Sequence, residues 1–201
     1  MRAETTTPTE VRALRAMVLV GAVIRIAYVL SKWNLPLALN DSFYYSGQAY
    51  QLAHGDLFRE LFVDRPGAEH GPLTSTLMAT VSWGDDYVRW QRLVTVATGI
   101  TLVWLLGKLG TRLRGPRAGV WAAGIAAVAP NLWMNDGLVM SESISTLLVA
   151  AVLWFALDAA DHGSLRSFAL LGLALGLGAL ARSELVVLIP LIALWLGECR
   201  R

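Results

Sequence analysis

The sequence predicts an all-α, polytopic membrane protein, and three observations carry that expectation. Hydrophobic residues make up 55% of the 201 residues and charged residues only 16%, with a mean hydropathy of +0.51. An average soluble domain carries about 25% charged residues, too many for this chain to match. The apolar residues form continuous runs at 16–30, 93–106, 118–129, 144–157, 168–181 and 185–196, whereas a membrane barrel requires apolar and polar residues to alternate. The basic residues, finally, collect on alternate sides of those runs. A formal net charge of +2 is too weak for a nucleic-acid binder, whose affinity rests on phosphate neutralisation. The single cysteine, Cys199, leaves no internal pair to oxidise.

Each run is about 12–15 residues long, and roughly 20 helical residues are needed to cross a hydrocarbon core. Most gain length from their flanks; 138–157 does so if Glu142 is tolerated inside. The first run holds Arg25 and is followed by Ser31-Lys32-Trp33, unlike a signal-peptide cleavage site. The last two runs are separated by Arg182-Ser183-Glu184 and read as a tight hairpin, with Gly172, Gly176 and Gly178 allowing close backbone approach.

Arg2, Arg12 and Arg15 precede the first run, and Lys108, Arg112, Arg114 and Arg117 fill the loop after the second. Arg200 and Arg201 fall on that same side after six crossings. The segment 34–88 instead carries Asp41, Asp56, Glu60, Asp64, Glu69, Asp85 and Asp86 against Arg59 and Arg65. The positive-inside rule therefore places both termini in the cytoplasm and 34–88 outside. Tryptophan prefers the membrane interface, and its positions agree: Trp33, Trp83, Trp90 and Trp133 at outer ends, Trp104, Trp121, Trp154 and Trp195 towards inner ones.

The long external segment is where chemistry is expected, since long loops are usually functional or disordered. Residues 41–55 have a helix start, an apolar stripe (Phe43, Gly47 and Tyr50 with Ala49, Leu52 and Ala53) and a glycine stop. They predict an amphipathic helix on the membrane surface. A second short helix is expected after Gly71-Pro72, where Leu73, Leu77 and Val81 recur at helical spacing.

Asp41 has two readings. As an N-cap it would accept the amide protons of Phe43 or Tyr44, worth about 1 kcal/mol; as a catalytic base it would face substrate. Glu142 is either an acid favoured by a helix N-terminus or a second functional carboxylate. Arg182 and Glu184 form an ion pair or an anion site at the hairpin tip. Arg25 either snorkels outward or is functional, as ionisable groups at membrane depth often are. His70 is an ordinary loop histidine unless a partner lies beside it, and His54 and His162 read as helix-end and loop residues. The sequence has no metal-ligand spacing, no phosphate-binding glycine loop, no Gly-x-Ser-x-Gly and no Cys-x-x-Cys.

Asn40-Asp41-Ser42-Phe43-Tyr44-Tyr45, then Ala49, Ala53-His54-Gly55 and His70-Gly71-Pro72-Leu73, resembles the first external loop of GT-C superfamily membrane glycosyltransferases. The likeness is to the family 39 type, which includes protein O-mannosyltransferases and lipid A aminoarabinose transferases. It continues through Arg92-Leu93, Leu105-Leu106-Gly107, Ala129-Pro130-Asn131, Ser141-Glu142 and Ala179-Leu180-Ala181-Arg182-Ser183-Glu184, in the family's order. Two departures stand out. Many relatives carry a second acid after the first, where Ser42 stands here, and Gly71-Pro72 replaces their Pro-Pro or Lys-Pro.

The resemblance implies a single module (residues 1–201), the amino-terminal part of a larger enzyme without its later spans and soluble domain. It implies sugar transfer from a polyprenyl-phosphate donor to a hydroxyl of a protein, lipid or glycan outside the cytoplasmic membrane. Asp41 would be the base, Glu142 the second acid, and His70, Arg182 and Arg65 would face the donor phosphate, with Tyr44, Tyr45 and Glu69 lining the substrate. No metal is demanded, because cationic side chains can balance the phosphate; a divalent ion is compatible. A non-catalytic scaffold or inactive truncated relative, and a lipid or sugar transporter, are the alternatives. Transporters usually show two related halves, and no internal repeat is visible here.

Overall fold

Thr7 and Glu10 start the first helix. The Thr7 hydroxyl accepts the Glu10 amide proton at 3.3 Å, while the Glu10 carboxylate accepts the Thr7 amide proton at 2.9 Å, a reciprocal capping box. In the computed structural model, which describes residues 7–37, 40–63 and 65–199, this helix, α1, runs Pro8–Lys32. Arg2, Asp64, Arg200 and Arg201 lie outside the described residues. The chain continues through α2 (Asn40–Ala53), α3 (Pro72–Ala79), α4 (Tyr87–Arg114), α5 (Pro116–Val128), α6 (Pro130–Trp133), α7 (Ser141–His162), α8 (Leu165–Ala181) and α9 (Leu188–Cys199). Short 3₁₀ turns occupy Met134–Gly137 and Ser183–Val187. The protein is an all-α membrane protein.

All six apolar runs are helical, but their lengths differ. By length and composition α1, α4 and α7 can each cross a membrane, while α8 is a shorter apolar helix. At 13 and 12 residues α5 and α9 are shorter still. Pro130 explains the first of these. It has no N–H to donate and disfavours the helical conformation in the residue before it, so Ala129 is extended (φ −65°, ψ 115°) and α5 stops. Arg182 is likewise extended (φ −148°, ψ 124°) and ends α8.

The core is continuous across the bundle. Val103, Ala123, Ala126 and Ala127 pack α4 and α5 against Leu14, Met17 and Val18 of α1. Leu102, Leu105 and Leu109 meet Ala150 of α7, and Val152, Ala156 and Ala159 pack against Leu171, Ala174 and Leu196 of α8 and α9. The glycines that permit close backbone approach are not those of the last hairpin. A Cβ on Gly172 or Gly176 would meet nothing within 4 Å, and one on Gly178 would reach only the Leu185 side chain at 3.7 Å. The tight pair is α4–α5, where a Cβ on Gly110 would lie 2.8 Å from the Ala118 carbonyl oxygen and one on Gly119 2.6 Å from that of Gly107. The expected tight hairpin of α8 and α9 does not form, and α9 packs against α7 instead.

Arg25 does not snorkel. It is fully buried, with Nε 2.7 Å from Asp136 Oδ2, itself fully buried. That approach is an ion pair without hydrogen-bond alignment. The guanidinium also donates to the carbonyls of Gly21, Ala127 and Ala126 at 3.2, 3.3 and 3.3 Å. Asp136 accepts the Ser143 hydroxyl at 2.6 Å, and its carbonyl accepts that of Thr95. Asp136 thus ties α1 and α7 through its carboxylate, and α4 through its backbone carbonyl, to the turn before α7.

The two expected surface helices are present as α2 and α3, and Gly55 (φ 97°) stops α2. The bundle-facing side of α2 is partly polar. Phe43 and Tyr50 are exposed, whereas Ser42, Tyr45, Ser46 and Ala49 face the bundle. Hydrogen bonds seat that side. Ser42 donates to the Leu138 carbonyl, Ser46 donates to Gln91 Oε1 at 2.7 Å, and Gln91 donates on to Ser82 at 2.8 Å. Buried Arg92 donates to the carbonyls of Lys32, Trp33 and Leu35, closing the C-terminal end of α1 ahead of α2.

Candidate active site

Asp41 lies inside the first turn of α2, one residue beyond its start. It is therefore not the N-cap. Its side chain is about half exposed, and Oδ1 lies 3.8 Å from Nε2 of His70. His70 is held by rings: Tyr44 meets it edge-on with centroids 4.6 Å apart, and Tyr45 lies tilted at 5.3 Å. Burial pushes the Tyr45 phenol up, with a smaller opposing contribution from Ser141, so it stays a neutral hydroxyl at physiological pH.

The loop bearing His70 is anchored at two places. Tyr44, buried and not among the residues that line the cavity below, accepts the Glu69 amide proton at 2.6 Å and one from Gln48 at 3.1 Å, and donates to Glu60 at 3.1 Å. Gly71 lies against the end of α8, where a Cβ would overlap the Ala181 carbonyl oxygen and fall 2.7 Å from that of Leu180. Only glycine lets the loop approach there, and the approach brings His70 beside Arg182.

Arg182 donates to Glu142 Oε1 at 2.9 Å and lies 3.7 Å from Glu184 Oε1. Desolvation works against the guanidinium charge, but Glu142 and then Glu184 outweigh it and raise the pKa. Glu142 stands in the first turn of α7, where the helix dipole favours its charge. That turn is set by Val139, a buried β-branched residue at φ 55°, a sparsely allowed conformation.

These elements enclose a polar cavity of about 310 Å³ lined by Asp41, Tyr45, Glu69, His70, Ser141 and Arg182, with Gly71, Ala181, Ser183 and Glu184 completing it. Ala49, Met78, Val139, Ile144 and Ala181 form the apolar floor beneath α2, α3 and α8. Asp41, His70 and Arg182 meet around one space, with Glu142 bound to Arg182 behind it. Arg65 is exposed and is not among the lining residues. Gly71, Ser141 and Ser183 stand in the quoted motifs, but the sequence reading gave them no role at the site. It also passed over Asp136, which a partner for Arg25 required. A larger cavity of about 460 Å³, between 33–37, α2 and 85–89, holds none of the expected site residues. Among the described residues no group of three His, Cys, Asp or Glu is placed to hold a metal ion.

A helical membrane bundle thus brings acid, imidazole and guanidinium groups around one polar cavity. Residues 72–201, well over half of the chain, match the family model described as dolichyl-phosphate-mannose-protein mannosyltransferase, and the chain belongs to that family. The match takes in Glu142 and Arg182 and begins after Asp41, Arg65, Glu69 and His70. No curated protein and no solved structure matches the chain.

Proposed function

We propose that this chain transfers a sugar, with inversion, from a polyprenyl-phosphate donor to an acceptor hydroxyl at the outer face of the cytoplasmic membrane. The observation that carries the reading is the meeting of Asp41, His70 and Arg182, from three distant parts of the chain, around one polar cavity. The chain acts as one module, with both termini in the cytoplasm and 34–88 outside.

Asp41 takes the acceptor hydroxyl proton as that oxygen attacks the anomeric carbon. The bond from that carbon to the phosphate oxygen breaks, and its electron pair leaves with the polyprenyl phosphate. Arg182 stays cationic and spends one N–H on Glu142, leaving further donors for a phosphate. Its charge, together with His70 when protonated, stabilises the leaving group in a site of reduced dielectric. Glu142 orients Arg182, and no metal ion is needed for this balance of charge.

Asp41→Asn tests the assignment. The exchange keeps size and shape at a half-exposed position and removes only charge and basicity, so transfer should fall by about 10²–10⁴-fold with donor binding and melting temperature retained. Wild-type transfer in this variant would overturn the base assignment.

A further inference from the structure

At the other end of the bundle a groove of about 480 Å³ runs between α4, α7 and α8. Its walls are apolar, including Trp104, Leu147, Trp154, Phe155 and Leu173, apart from Thr101 and Lys108. The Thr101 hydroxyl is bonded to the Ala97 carbonyl of its own helix, so the ammonium of Lys108 is the polar group left to a ligand. Among the described residues Lys108 makes no ion pair, whereas nearby Arg112 is held by Asp161 at 2.6 Å and stacks on Trp154 at 4.9 Å. Trp104 and Lys108, one helical turn apart, also line a second cavity of about 330 Å³ between α1 and α4, where Arg15 adds another cation. Glu10, in the same cavity, has its carboxylate engaged by the amide and hydroxyl of Thr7.

An apolar groove of this volume, with an ammonium that no described residue pairs and a tryptophan beside it, fits a lipid whose headgroup is an anion. Tryptophan and lysine place their polar ends at the headgroup level while their apolar parts stay in the hydrocarbon. We propose that the groove binds an anionic glycerophospholipid from the leaflet on the basic side of the bundle. One acyl chain lies between α4, α7 and α8, and the headgroup phosphate is held by Lys108 with Arg15.

The test is native mass spectrometry of the full chain in detergent with equal amounts of phosphatidylglycerol and phosphatidylcholine of identical chains. Wild type should retain phosphatidylglycerol more strongly by at least about fivefold, the preference each Lys or Arg near a membrane surface confers. Lys108→Gln should lower the preference about fivefold, leaving only what Arg15 contributes. Leu173→Trp, at an exposed position on the groove wall, should lower retention of both lipids. No preference in wild type, or an unchanged preference in Lys108→Gln, would overturn the proposal. So would displacement of the lipid by inorganic phosphate alone, which would mark a free-anion site. Preferential retention of a polyprenyl phosphate that is insensitive to Lys108→Gln would assign the groove to a different lipid and overturn it equally.

Discussion

Replacing Asp136 by asparagine isolates the charge of the buried pair that ties the bundle together. The substitution preserves shape and leaves an oxygen to accept the Ser143 hydroxyl, bonded at 2.6 Å in the wild type. It removes the charge that faces Arg25 Nε at 2.7 Å, where both side chains have no exposure. An uncompensated buried charge costs about 3–5 kcal/mol. Arg25 keeps its bonds to the carbonyls of Gly21, Ala126 and Ala127, so the lower end, about 3 kcal/mol, is expected. For a chain of this size that lowers the melting temperature by roughly 6–12 °C. The assay is thermal unfolding in detergent, followed by intrinsic tryptophan fluorescence. Arg25→Met removes the opposite charge, and the double variant should recover most of the loss, because a neutral pair leaves nothing uncompensated. A double variant equal to the sum of the singles within about 0.5 kcal/mol, or an Asp136→Asn protein as stable as wild type, would refute the reasoning.

Gly71→Ala should cost about 1–3 kcal/mol in stability as the loop is pushed off the Ala181 carbonyl, and transfer should fall further than stability because His70 moves with the loop; an enzyme-linked transfer assay beside a melting curve separates the two. Gly110→Ala should destabilise, since its Cβ would meet the Ala118 backbone, whereas Gly176→Ala, facing open space, should be neutral or stabilising by up to about 1 kcal/mol. Paired melting curves decide it. For topology, Cys199 is exposed and is first replaced by serine; Leu57→Cys and Leu165→Cys, both at highly exposed positions, should then react with a membrane-impermeant thiol reagent from outside intact cells in the first case and not in the second. Ser46, buried against Gln91, would be a poor reporter.

The helical membrane class, the positions of the apolar helices and the existence of α2 and α3 were legible because each rests on local composition, periodicity and stop signals such as Gly55. Helix length was less so: Pro130 ends α5 early, and α7 runs beyond its apolar run to His162, where Gly163 in the left-handed conformation caps it. The side of α2 that meets the bundle was not legible from hydrophobicity, because Ser42, Ser46 and Gln91 dock it through hydrogen bonds. Glycine positions misplaced the close helix contact, since a glycine marks permission for approach and not the presence of a neighbour.

By itself the sequence determined that this is a helical membrane protein with a charge-rich segment between its first and second apolar helices, because transfer free energy and helical periodicity act residue by residue. It also supplied Asp41, His70, Glu142 and Arg182 as groups worth tracing, because ionisable residues are rare in such a chain. Only the tertiary structure decided that His70 stands beside Asp41, that Arg182 binds Glu142, and that Arg25 is neutralised by Asp136. Those pairings join residues that are 29, 40 and 111 positions apart in the numbering. No local preference encodes them: they arise when Gly71 meets the end of α8, when Ser42 and Ser46 seat α2, and when the turn at Val139 aims the first residues of α7 at the same cavity.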